Sequence, residues 1–140
     1  ETSAGCRRAA KLGAARACFH FLFRFDFRNE EWIMAIYELR TYQVTVGKMK
    51  DAVEAYSQKG WPALQKGGFD KKLVGYFISD TGPLHQIVHL WKFDDDADRR
   101  NHWNSLFAND DFMDFAGDLR PLLLSQQNQL LNAAPWGPNP

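Results

Sequence analysis

Two apolar runs, Leu73–Ile78 and Ile87–Phe93, flank a short polar stretch containing Asp80, Gly82 and Pro83. Turn-forming residues between two strand-length runs predict an antiparallel hairpin. Both runs are apolar at successive positions, the pattern of strands covered on both faces. Upstream, Ala35–Val44 alternates: Tyr37 and Leu39 point one way, and Ile36, Glu38, Arg40 and Tyr42 the other, which predicts a first strand. After Gly47, the residues Met49, Ala52, Val53 and Tyr56 recur at helical spacing and the pattern ends near Gly60. Pro62 suits the first turn of a second short helical piece, closed by Gly67–Gly68. Beyond the hairpin, Asp94 or Asp96 is the expected cap of a helix whose apolar face is Ala97, Trp103, Leu106 and Phe107. Asn109 or Asp110 is expected to cap a further short helix carrying Phe112, Phe115 and Ala116, broken at Arg120–Pro121. Leu122–Leu131 reads as the last strand, and the closing PWGPNP as an extended tail.

The resulting order, β-α-β-β-α-β, is the α+β, ferredoxin-like arrangement with a four-stranded antiparallel sheet. Helices on one side leave the other face of such a sheet open. That open face is expected to carry Ile36, Tyr42, Ile87, His89, Trp91 and Phe93. So apolar a surface exceeds what soluble monomers usually expose. A second copy of the chain is therefore the expected cover, giving a homodimer that a higher oligomer could extend.

Composition narrows the choice of partners. The chain has 140 residues, 45% of them hydrophobic, with 17 basic and 17 acidic side chains. This suits one globular domain with a core that needs no disulfide or metal. Zero net charge gives no electrostatic case for nucleic acid. No run approaches the roughly 18 apolar residues of a membrane span. The first 33 residues read differently from the rest. Gly5–Phe25 holds five basic residues and no acidic one, and the first methionine is Met34. An Arg-rich, acid-poor leader resembles a transit peptide. The aromatic–polar alternation of Phe19–Arg28 also fits an edge strand or an aggregation-prone tail. The favoured expectation is a non-native, mis-started or poorly ordered extension over 1–33, followed by the functional domain over 34–140. Cys6 and Cys18, the two cysteines, both lie in that extension and form neither a disulfide framework nor a zinc set. A reducing compartment follows, cytoplasmic by default or the mitochondrial matrix if the source is eukaryotic.

Several chemistries fail on spacing. His85 and His89 share a strand face but lie roughly 13 Å apart, too far to chelate one ion unaided. His102 falls in the second helix, so no metal set is complete. Asp94, Asp96 and Asp98 mimic the start of a calcium loop, yet Arg99 replaces its glycine and Ser105 its closing glutamate. Stabilising a helix N-terminus accounts for those carboxylates. Gly67–Gly68 follows a helix, so no phosphate loop is present, and Ser57, Ser79, Ser105 and Ser125 lack the surroundings of an activated nucleophile. No cofactor is called for. One constellation remains: Glu38, Arg40, Tyr42, Tyr76, His89 and Trp91. If strand parity holds, several of these converge in a covered cavity. His89 would then act as acid or base, Arg40 would hold an anionic or enolate oxygen, and the rings would shape an apolar pocket. The competing reading is purely structural, a Glu38–Arg40 pair across one pleat with the rings as interface core.

The segments IYELRTY (Ile36–Tyr42), KLVGYF (Lys72–Phe77), GPLHQIVHLW (Gly82–Trp91) and QNQLLNAAPWGP (Gln127–Pro138) together resemble the NIPSNAP family. The resemblance runs from Ala35 to about Pro138 and leaves out the first 33 residues. His85 departs from it, since relatives often carry Asn there. The resemblance implies a dimeric α/β barrel in which two ferredoxin-like sheets face each other. The family has no settled chemistry, and its eukaryotic members are mitochondrial and tied to vesicle or mitophagy-related interactions. Three functions stay open. One is a dimeric domain binding a small, partly apolar molecule in its barrel. The second is a cofactor-independent monooxygenase or isomerase, by analogy of fold. The third is a non-catalytic interaction or scaffolding protein.

Overall fold

The computed structural model describes residues 35–140; the expected extension over 1–33, with Cys6 and Cys18, lies outside the described residues. Strands β1 (Ile36–Val44), β2 (Leu73–Ile78), β3 (Gln86–Phe93) and β4 (Leu123–Asn132) form one sheet in the order β2-β3-β1-β4. Every neighbouring pair is antiparallel. Helices α1 (Met49–Ala55) and α2 (Trp61–Gly67) lie between β1 and β2, and α3 (Asp96–Phe107) and α4 (Asp110–Leu119) between β3 and β4. The α+β, ferredoxin-like order expected from the sequence is present.

α1 and α2 are joined without a break by a π-helical turn over Tyr56–Gly60. Pro62 has no N–H to donate to the preceding turn, and a widened turn ahead of it absorbs the missing bond without stopping the helix. Gly60 is needed there for a second reason. A β-carbon on it would sit 2.7 Å from the Phe115 ring, so α4 packs directly on its backbone. Asp95, rather than Asp94 or Asp96, caps α3: its carboxylate accepts the Asp98 N–H at 2.7 Å. The cap is reinforced by Lys72, which bonds Asp98 at 2.6 Å and Asp94 at 3.2 Å. Asn109 caps α4 by accepting the Phe112 N–H. Along α3 only Trp103 and Leu106 of the expected apolar face are buried; Ala97 and Phe107 are exposed.

The largest correction concerns the faces of the sheet. Parity is as expected: Glu38, Arg40 and Tyr42 stand opposite Trp91, His89 and Ile87 on one face. That face is the one the helices cover, not the one they leave. Tyr42, Val44 and Ile87 pack with Ala52, Phe115 and Leu119, while Trp91 and Phe93 pack with Leu64, Trp103 and Leu106. The opposite face carries Tyr37, Leu39, Thr41, Val88, Leu90 and Phe77. Alternation sorts residues into two sets but does not say which set meets a helix, and here both sets are apolar enough for either role.

Candidate functional site

Between the sheet and the helices of a single chain lies a cavity of about 100 Å³. β1 supplies Arg40 and Tyr42, β3 supplies His89 and Trp91, and β2 supplies Tyr76. Tyr56 reaches it from the π turn, Trp103 from α3, Phe115 from α4, and Arg120 and Gln126 from the chain that follows. Five of the six residues expected at a site therefore line one space. Glu38, the sixth, lies outside the lining and supports it.

Glu38 is 1% exposed, a buried carboxylate that needs partners. It accepts the Trp103 indole N–H at 2.8 Å and Arg99 Nη1 at 3.3 Å, and lies 3.3 Å from Arg40 Nε. The Glu38–Arg40 pair across one pleat is thus present, and it coexists with the cavity. Arg40 Nε also donates to Asn128 Oδ1 at 3.0 Å, and its guanidinium lies 4.1 Å from the Trp103 ring centre. These contacts hold the guanidinium plane in place.

His89 is 3% exposed and enclosed by three tyrosine rings, Tyr42 and Tyr76 at 4.5 and 4.6 Å and Tyr56 at 5.9 Å. Its Nε2 lies 3.1 Å from the Tyr56 hydroxyl. Burial, with the Arg40 charge adding to it, pushes the imidazole down to about 3, so the ring is neutral at physiological pH. Burial raises the Tyr42, Tyr56 and Tyr76 phenols, and Arg40 opposes the rise in each. Among the described residues no carboxylate lines the cavity, whereas two guanidinium groups do. Trp91, 1% exposed and part of the lining, has its indole N–H buried without an acceptor.

Tyr56, Trp103, Arg120 and Gln126 were not among the residues expected at the site. Tyr56 and Trp103 had a signal, since both lie on apolar helix faces that must meet the sheet. Arg120 and Gln126 had none that distinguishes them from surface residues. His102, half-buried against Trp91 and Phe93, and His85 take no part in the lining. Among the described residues no three His, Cys, Asp or Glu side chains are grouped to hold a metal ion. No helix among them is long and apolar enough to cross a membrane.

His85 does have a structural role. It is held at φ 58, left-handed backbone, while its carbonyl accepts the Val44 N–H at 2.8 Å. Asn tolerates that conformation better than most side chains.

Comparison with known proteins gives a consistent result. NipSnap homolog 2 of Danio rerio is 26% identical over 113 residues, which is 79% of this chain. The chain spans only 38% of that relative's length. A NIPSNAP family protein from Agrobacterium tumefaciens is 29% identical, with a TM-score of 0.68 over 74% of this chain and 92% of its own. A putative antibiotic biosynthesis monooxygenase from Nitrosomonas europaea, 9% identical, superposes with a TM-score of 0.52 over 72% of this chain and 99% of its own; this shows a shared fold alone. The NIPSNAP family model matches residues 37–138, and on that match the chain belongs to the NIPSNAP family.

Proposed function

We propose that this domain binds a small, partly apolar anion in the cavity between its sheet and helices. One observation carries the reading: Arg40 and Arg120 border a cavity otherwise lined by aromatic and aliphatic side chains and Gln126, and among the described residues no carboxylate lines it. Arg40 is held in place by Glu38, Asn128 and the Trp103 ring, and exposed Arg120 at the rim adds a positive charge that Glu38 does not neutralise, so the pair favours an anionic oxygen between them. The unpaired Trp91 N–H supports it, since a buried donor without an acceptor is costly and a ligand oxygen relieves it. The six expected residues then divide by role. Arg40 holds the anion, His89 and the Tyr42, Tyr76 and Trp91 rings shape the enclosure, and Glu38 fixes Arg40. The site lies within one subunit rather than between two sheets.

The test is calorimetric titration with benzoate, 4-hydroxybenzoate and hexanoate. Saturable binding is expected, weakened about 10- to 100-fold by Arg40→Gln. Binding that ignores Arg40→Gln sinks the proposal. The absence of any binding sinks it too, and favours the interaction or scaffolding role.

A second reading rests on the His89–Tyr56 pair. The imidazole and phenol, 3.1 Å apart and buried, have the geometry of a proton relay, and the negative charge of a bound enolate is what would raise the imidazole from about 3 towards a working base. This is the equipment for isomerising an enol or for oxygenating a quinol without a cofactor. Turnover of such a substrate, lost in His89→Gln with binding retained, is the result that promotes it.

The domain is proposed to act as a homodimer. The sheet face without described helices carries Leu39, Val88 and Leu90, with Phe77 56% exposed. A second copy of the same apolar face is the simplest cover.

A further inference from the structure

A second cavity, of about 300 Å³, opens beside the first. Its walls include Val53, Trp61, Ile78 and Ile87, and it shares Tyr56 and Tyr76 with the inner chamber. Those two rings meet edge to face, 5.4 Å between centres, and form the partition. The chambers differ in chemistry. The inner one holds both arginines, His89 and Gln126; the outer one has no charged wall residue among those described.

From this shared partition we infer that the two cavities are one bipartite site for an amphiphilic anion with a linear alkyl tail. The head is held at Arg40, and the tail passes between Tyr56 and Tyr76 into the outer cavity. This rests on the proposed anion site and adds the ligand class. Three features support it. The inner space alone falls below the several hundred Å³ usual for ligand sites, and the outer cavity supplies the difference. Tyr56 is tethered to His89, so Tyr76, a partly buried ring of strand β2 packed on His89, is the one that must turn aside for passage. A slim chain needs the smallest such displacement, which favours an alkyl tail over a fused ring system. The outer mouth is apolar and reaches solvent at Trp61 and Ile78, 38% and 54% exposed.

The test titrates wild type with butanoate, hexanoate, octanoate and decanoate. Each methylene beyond hexanoate is expected to tighten binding, by up to about fourfold, the factor for a fully buried CH₂. Ile78→Trp fills the outer cavity from an exposed strand position and should flatten this series. Trp61→Ala removes one outer wall and should lower the gain per methylene. Arg40→Gln should weaken every member by the same factor. If short acids bind through Arg40 but length brings no gain, or Ile78→Trp leaves the series as steep, the bipartite site is wrong and the inner anion site stands. If no carboxylate binds wild type, both are wrong.

Discussion

His89 gives the sharpest pH signature among the individual residues. Its imidazole titrates at about 3 in the folded chain, against about 6.5 when unfolded. Between those values the unfolded chain binds more protons, so this contribution is complete above pH 6.5 and is lost as pH falls towards 3. The loss amounts to about 2 kcal/mol by pH 5. Half-buried His102, lowered mainly by burial, acts with the same sign. Paired surface carboxylates such as Asp96 and Asp98 also lose stability in acid, so the readout is a difference between two proteins. Urea unfolding from pH 7 to pH 5 should fall more steeply in wild type than in His89→Gln; equal slopes would remove the buried neutral imidazole from the account. Glu38 is the second test at this scale. Glu38→Ala leaves Arg40 and Arg99 without their buried counter-charge and Trp103 without its acceptor. The expected cost is about 3–5 kcal/mol in urea unfolding. A loss below 1 kcal/mol would mean that solvent reaches the pair. The strand alternation made Glu38, Arg40 and His89 legible as one facing set. It could not show that Trp103 and Arg99, more than sixty positions away, complete it.

Helix boundaries were partly legible. Pro62 and Gly60 were visible as a joint in the helical pattern, yet the joint is a π turn inside a continuous helix because neighbouring packing overrides the local break. Gly60 tests this. Alanine in a helix ordinarily stabilises by about 0.5–1 kcal/mol over glycine. Here its β-carbon meets Phe115 at 2.7 Å, so Gly60→Ala should instead destabilise by about 1–3 kcal/mol. Phe115→Leu should recover part of that loss in a double-mutant cycle; additive effects would refute the contact. The caps show the same division. Three aspartates in succession announced a helix start, but only the backbone turn selects Asp95 among them. At the β2–β3 connection, His85→Asn relieves the left-handed strain at φ 58 and should raise thermal stability by the equivalent of about 0.5–1 kcal/mol. An unchanged or lower melting temperature would show that the imidazole makes a compensating contact.

At the scale of the whole molecule, the sheet face on which no described helix packs is the one proposed to meet a second copy. If two copies bury it, sedimentation should give a dimer, and Leu90→Lys, at the middle of β3 on that face, should shift it to monomer without unfolding it. A monomeric wild type would discard the dimer yet leave the ligand site intact, because the cavity lies within one chain. This separation reverses the sequence-based expectation, in which cavity and dimer stood or fell together. The order of elements, the antiparallel hairpin, and the grouping of Arg40, Tyr42, His89 and Trp91 on one face were determined by the sequence alone. They depend on periodicity and turn chemistry, which act between neighbours along the chain. Which face the helices cover, the π turn that brings in Tyr56, and the seating of Trp103, Arg120 and Gln126 around the cavity were decided only by tertiary packing. Those choices compare the burial of whole surfaces, and no local pattern encodes that comparison.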